Sequence, residues 1–356
     1  MRTSLGITGK IAMALTLLLS VLTLIAAYGG KVPPTALMSI PALGALAFPA
    51  LAIALAILII VDCFIAPRAA LAGFLILVFG CWSPLRANFP INLTVSPDTP
   101  HDFRLLTYNV AYLRDFSGAD TEQNVVPSVD YAISRGADIV ALQEFHMPSK
   151  KYRQQLKKEY PYIAVSSDGQ ALLSKWPVKE LGALGSGYSF PFIVQGYQVS
   201  TDRGDLTIVN VHLRSIGLTE TDKELYENMT EGHKQDLAAI RHSLLSKLKS
   251  AFIDRATEAE VIRSFIDSVN GPVIVCGDFN DVPLCYAQRV IMGNDMKDAY
   301  RETGRIPSIT FRENRMYFRI DHILYNDGLA PTYTVCEHVK YSDHYPVITN
   351  FKFTNQ

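Results

Sequence analysis

Val273-Ile274-Val275-Cys276-Gly277-Asp278-Phe279-Asn280 is the stretch on which the fold of this 356-residue chain turns. The apolar run from Pro272 to Cys276 reads as a buried β-strand. Gly277 lets the chain turn, and Asp278 and Asn280, two apart on extended backbone, project to the same side. The strand therefore delivers an acid and an amide to the rim of a sheet. Oxygen donors without thiolates suit a hard divalent cation such as Mg²⁺.

The pattern recurs along the chain. Phe103 to Val110 is strand-like and carries Asn109, and Ile139 to Leu142 is followed by Gln143-Glu144. Leu206 to Leu213 carries Asn210-Val211-His212, and Ile320 to Tyr325 carries Asp321-His322. Ser342-Asp343-His344 precedes the run Pro346 to Phe353, and Ala171 to Ser174 is one more strand. Val125 to Ser134 reads as a short helix. Lys234 to Val269 is the main helical region, with Leu237, Ile240, Leu244, Leu245 and Leu248 in helical spacing. Ser215 to Gly232 is polar and irregular and is expected to form a loop over the site. Strands alternating with helices indicate an α/β chain.

Taken in series, these six polar motifs resemble the endonuclease/exonuclease/phosphatase superfamily, which includes the DNase I-like nucleases, neutral sphingomyelinases and inositol polyphosphate 5-phosphatases. The resemblance covers roughly residues 103–353. It implies a four-layer sandwich of two mixed β-sheets flanked by helices, and a metal-dependent phosphoric ester hydrolase. It implies Glu144 as the principal Mg²⁺ ligand, with Mn²⁺ as a substitute, helped by Asn109, and Asp343 near the metal from the opposite side of the cleft. Asp278 and Asn280 are expected to orient the attacking water and hold phosphate oxygens. His344 is expected to pair with a carboxylate and act on the phosphate or nucleophile, Asp321 to orient a catalytic His, and His212 to face the leaving group. A phosphodiester repels anionic nucleophiles, so positive charge on its oxygens and a positioned base are what the reaction needs. His322 is expected to point away from the face of Asp321. His101, His146, His233, His242 and His338 belong to no motif, and Trp176 reads as a packing residue.

The first 97 residues have a different composition. They hold five of the 33 basic residues and one of the 34 acidic ones, leaving 28 against 33 and a net charge of −5 for residues 98–356. Three uncharged apolar runs, Ile11 to Tyr28, Ala42 to Val61 (interrupted by Pro49) and Ala69 to Leu85, indicate a helical membrane anchor over 1–86 rather than a signal peptide alone. Residues 87–102 read as a linker and 103–356 as the catalytic domain. Arg2, Lys10 and Arg68 on one side against Lys31 and Arg86 on the other place the N-terminus inside a bacterial inner membrane and the domain on the outer, periplasmic face. That assignment reverses if the short third run does not cross. The five cysteines show no paired spacing of a disulfide framework or zinc site.

An acidic domain lacks the basic stripe that grips long nucleic acid. Asp321-His322 also stands where inositol 5-phosphatase-like and DNase I-like members tend to carry Asp-Arg. A lipid or sphingolipid head group is therefore the favoured phosphoester, with tethering raising its effective concentration. A nonspecific nuclease, or a phosphomonoesterase of a sugar or inositol phosphate, is the alternative. No protein partner is implied.

Overall fold

The computed structural model describes residues 6–35, 40–114, 126–185, 193–217, 237–313 and 318–354, with backbone only for 237–243. Most of the loop expected over the site, His233 and the side chain of His242 lie outside the described residues.

The N-terminal apolar runs form α1 (Ile7–Gly29), α2 (Ile40–Ile65) and α3 (Pro67–Leu75), which continues through a π-turn at Ile76–Gly80. Two of these, α1 and α2, are long and apolar enough to cross a membrane. Pro49 does not break α2. The packing is inverted relative to a water-soluble bundle: Gly9, Ala12, Thr16, Ser20 and Ala26 are buried on α1, while Leu17, Leu18, Ile57, Ile60 and Phe79 are exposed. Small residues at helix contacts and large apolar ones outside are the pattern of helices packed in lipid. Asp62 lies in the last turn of α2, buried, and accepts the hydroxyl of Thr16.

The third apolar run, expected as one span from Ala69 to Leu85, is broken. α4 (Trp82–Asn88) turns away by 72°. The reason is local. Pro84 has no N–H to give to the carbonyl of Gly80, which instead accepts the Tyr28 hydroxyl at 2.6 Å. The segment read as a linker lies against the rest of the protein. Asn92 donates to the carbonyls of Arg301 (3.2 Å) and Gly304 (2.8 Å), and Arg319 donates to that of Ala87 (2.9 Å).

Twelve strands lie among the described residues: β1 (Phe103–Asn109), β2 (Ile139–Gln143), β3 (Tyr162–Val165), β4 (Ala171–Ser174), β5 (Val178–Ala183), β6 (Ile193–Thr201), β7 (Gly204–His212), β8 (Val273–Asp278), β9 (Met296–Asp298), β10 (Asp321–Asn326), β11 (Leu329–Cys336) and β12 (Val347–Phe353). They form two six-stranded sheets, ordered β11-β12-β1-β2-β4-β3 and β5-β6-β7-β8-β10-β9. In each a parallel pair, β1 with β2 or β7 with β8, sits in the middle and every other pairing is antiparallel. The two sheets are topological copies.

Helices α5 (Pro127–Ser134) and α6 (Lys150–Glu159) cover the first sheet. α7 (Leu237–Ser268) and α8 (Tyr286–Met292) cover the second, and α9 (Ala299–Thr303) follows β9. The apolar run at 273–276 is explained by cover on both faces. Ile274 and Cys276 enter the core between the sheets with Leu105, Leu172 and Phe351, while Val273 and Val275 pack with Ala259, Ile262 and Ile266 of α7. The outer face of the first sheet buries Leu106, Tyr108 and Val140 against Val129, Tyr152 and Leu156. The result is the expected sandwich of two mixed sheets with helices outside.

The strands absent from the sequence reading are mostly at edges or beside them. β5 is largely exposed, and β11 carries Pro331 and a register shift between Pro331 and Tyr333. Edge strands need no continuous apolar run because one side meets solvent.

Candidate active site

Strand direction brings the polar motifs together. The parallel pair β1 and β2 ends with Asn109 beside Gln143, and the pair β7 and β8 ends with His212 beside Asp278. β10 runs opposite to β8 and begins there, so Asp321 faces Asp278. The turn 342–344 leads into β12, antiparallel to β1, and places His344 at the same end. Beneath the cleft, Asn210 donates to the carbonyls of Leu142 (3.0 Å) and Ala171 (3.2 Å) and accepts from Gln143 Nε2 at 2.7 Å, joining the two sheets.

Gly277 has a different role from a turn residue. β8 runs through it, with φ 137°, and any side chain there would collide with the Val211 carbonyl of β7. The bend comes later. Glu144 and Asn280, each just beyond a strand, both have φ 51°, a left-handed conformation costing on the order of 1 kcal/mol for a non-glycine residue. Asn280 is held by its backbone N–H to Asp278 Oδ1 (2.8 Å) and by its Nδ2 to the Leu213 carbonyl (2.9 Å).

Two groups of side chains share Asp278. In the first, Asn109 Nδ2 donates to Glu144 Oε1 (3.4 Å) and Asp278 Oδ2 (3.1 Å), and His212 Nε2 lies 3.7 Å from both carboxylates. Burial pushes the Glu144 carboxyl up, Asp278 and Asp343 add to this, and His212 and Asn109 oppose it. In the second, His344 Nδ1 meets Asp321 Oδ2 at 2.9 Å, and its Nε2 lies 3.6 Å from Asp278 Oδ2. Burial alone would lower the imidazole; Asp321, Asp278 and Asp343 together reverse that and hold it charged, up at about 10. Ser342 Oγ donates to the Asn109 carbonyl (2.8 Å), tying the His344 turn to β1. Thr310 Oγ1 accepts from the backbone N–H of Ile320 and Asp321, both at 2.9 Å, and fixes the start of β10.

The donor set fits a divalent cation. Glu144, Asp278 and Asp343 are three acids around one cleft, and their mutual repulsion is what a cation relieves. The amide of Asn109, as placed, presents its NH₂ to the carboxylates while its oxygen accepts from Ala111 N–H at 3.0 Å. It must turn over to act as a ligand. Among the described residues, Glu144, Asp278 and Asp343 line the cleft without closing to within 4.8 Å of one another, whereas the ligand-type atoms of Asp278, Asp321 and His344 do. That group is the poorer cradle, because a charged His344 has no free lone pair.

Asp343 lines the cleft and accepts from Ser342 Oγ at 3.1 Å. His322 is directed away from the cleft. Its Nδ1 accepts from Arg319 Nη1 (3.0 Å), so Nε2 carries the proton and donates to the Asp281 carbonyl (2.9 Å). Burial and Arg319 lower it to about 4, leaving it neutral. His101, His146 and His338 are exposed, and Trp176 packs against the inter-sheet core.

The cleft is a cavity of about 620 Å³. Part of its wall escaped the sequence reading. Arg255, buried on α7, holds Asp281 (3.1 Å) and the Arg214 carbonyl (2.9 Å), and Glu258 one turn on accepts from Arg214 N–H (2.9 Å). Burial raises Glu258 to about 7. The i, i+3 spacing of Arg255 and Glu258 was the available signal. Leu46 of α2, also in the wall, gave none.

Among curated proteins none matches the sequence. Solved structures are similar to the chain at low identity. An endonuclease/exonuclease/phosphatase from Beutenbergia cavernae is 16% identical, with TM-score 0.48 over 71% of this chain and 72% of that one. The 3′ phosphatase NExo from Neisseria, bound to product DNA hairpin, is 14% identical, with TM-score 0.49 over 70% and 100%. The human Nocturnin catalytic domain is 16% identical, with TM-score 0.47 over 71% and 94%. The model of the endonuclease/exonuclease/phosphatase family matches residues 106–344, two thirds of the sequence, and the chain belongs to that family.

Proposed function

We propose that the protein is a membrane-anchored, Mg²⁺-dependent phosphodiesterase acting on a phospholipid or sphingolipid head group. One observation carries the hydrolase reading: a hydrogen-bonded His344–Asp321 pair and the acids around Glu144 share Asp278 at the end of one cleft. The net charge of −5 outside the first 97 residues and the apolar helices packed against this body favour a head group over nucleic acid.

Glu144, Asp343 and a turned Asn109 would hold the ion, which supplies positive charge and Lewis acidity to the phosphate. Asp278 and Asn280 orient the water. His344, kept as an imidazolium with Nδ1 on Asp321, directs Nε2–H into the cleft, where it stabilises charge developing on phosphate oxygens. His212, also at the rim, is placed to give a proton to the leaving oxygen.

The outward orientation rests on the charge count, and the bundle geometry adds only which helix ends face the catalytic body. Ala12 packs with Ala66 and Ala69 at one end, and Tyr28 meets Gly80 at the other. The broken third run thus covers the same height as α1, and the start of α1 lies at the opposite end from the catalytic body. Protease added to cells with a permeabilised outer layer should remove residues 103–356; protection until the inner membrane is lysed would reverse the topology. The substrate reading is tested by assaying the full chain with Mg²⁺ on sphingomyelin, bis-p-nitrophenyl phosphate, plasmid DNA and inositol phosphates. Cleavage of DNA alone would replace it with a nuclease.

A further inference from the structure

The apolar hairpin forms part of the active-site wall. Leu46, on the second turn of α2, lines the same cavity as Glu144, His212, Asp278 and His344. The same lining holds the apolar Leu244, Leu248 and Phe252 of α7 and Phe318 together with Leu46, beside the charged Arg255 and Glu258.

The placement of Leu46 is rigid. Its neighbour Ala45 belongs to the same buried cluster as Phe279, Val282 and Cys285, residues of the segment that carries Asp278 and Asn280. At the hairpin turn, any side chain on Gly30 would collide with the Leu284 carbonyl, and Arg289 Nη2 donates to the Ala27 carbonyl at 3.4 Å. The helix that presents Leu46 to the cleft also presents Ile53, Ile57 and Ile60 outward. One helix therefore carries apolar side chains both on the outside of the hairpin and in the reaction cleft.

We propose that this wall binds the hydrocarbon chain of a phosphodiester amphiphile, taken laterally from the membrane that holds α1 and α2. The inference rests on the phosphodiesterase reading and adds that the hairpin is part of the substrate site as well as a tether. The acid and histidine end takes the phosphate, and the wall of Leu46, Leu248 and Phe252 takes the first methylenes of the tail. A water-soluble diester has nothing to place there. Binding energy from that remote segment is available to raise kcat/KM.

The test uses the full chain in phosphatidylglycerol nanodiscs with Mg²⁺ and a series of p-nitrophenyl alkyl phosphates, followed by p-nitrophenolate release. In the wild type, kcat/KM should climb by up to about fourfold per added methylene until the wall is filled, as for burial of a CH₂. Leu46→Gln should flatten that climb, and Leu248→Gln, on α7 rather than on the hairpin, should do the same if the first variant fails to fold. Ile57→Gln, a substitution on the outer surface of α2, should leave the climb as it is. A wild-type rate independent of chain length would overturn the proposal. So would an undiminished climb in both wall variants, which would assign the effect to partition into the bilayer. No hydrolysis of any member of the series would instead remove the phosphodiesterase reading itself.

Discussion

The two sheets present corresponding positions to the cleft and fill them with different chemistry. On the first sheet, the end of β1, its parallel neighbour and the start of the next strand carry Asn109, Gln143 and Gln170. On the second, the same register positions carry His212, Asp278 and Asp321. Two of the three amides of the first sheet, Gln143 and Gln170, are spent on structure. Gln143 bonds Asn210 and Thr107 (3.1 Å), and Gln170 Nε2 bonds the Ile193 carbonyl at 2.5 Å. Of the titratable groups of the second sheet, His212 lies against Asp278, while Asp278 and Asp321 both face the imidazole of His344. The first sheet's only acid in this row is Glu144, placed one residue beyond β2 by its left-handed backbone and left 19% exposed, against 1% for Asp321. A frame used twice thus yields a wetter side suited to an ion and a dry side suited to holding a proton.

If that division is right, the largest effect comes from the wet side. Excess chelator should abolish turnover, and Glu144→Gln should lower it on the order of 10³-fold, the scale of losing several kcal/mol of charge stabilisation. Full activity in chelator would end the metal reading. At the dry pair, His344→Ala should reduce turnover by about 10² to 10⁴, as expected for loss of a group that stabilises charge on the phosphate, with little change in melting temperature.

Asp321→Asn makes the second sheet resemble the first at one position. It removes the carboxylate that, after burial, acts most strongly on His344. Turnover should fall roughly tenfold to a hundredfold, and the alkaline limb of kcat/KM should move to lower pH, because the imidazolium is lost sooner. An unmoved alkaline limb would mean the pair does not control the charge.

Glu258 gives a smaller effect on stability. Its carboxyl is raised from 4.5 to about 7, so the folded state holds its proton more tightly than the unfolded state. Stability should therefore fall as pH rises from about 4.5 to 7 and change little above that. In Glu258→Gln this part of the decline should vanish from melting curves recorded across the range. The smallest effect is expected at His338, which stacks on Tyr345 outside the cleft. His338→Ala should leave turnover within about twofold. Equal losses for His338→Ala and His344→Ala would break the assignment of the site.

Legibility in the sequence followed burial and strand direction. Pro272 to Cys276 announced itself because a strand covered on both faces must be apolar at every position. The residues at its end and at the ends of β1, β2 and β7 were legible because a polar side chain interrupts that run. Edge strands such as β5 and β11 and the break after Gly80 were not, since their stability comes from neighbours. The Tyr28 hydroxyl that caps the Gly80 carbonyl lies 52 residues away in the chain.

Composition and local pattern by themselves determined the apolar N-terminal helices, the central strands and the residue types available for phosphoester chemistry, because hydrophobic periodicity and turn chemistry act over a few residues. Tertiary structure decided the rest. It set which carboxylates share a cleft, the charge held on His344, the inward placement of Arg255 and Glu258, and the seating of Leu46 beside Asp278. Each of these depends on groups brought together from distant segments, where burial and charge are properties of the assembled surroundings rather than of any one stretch.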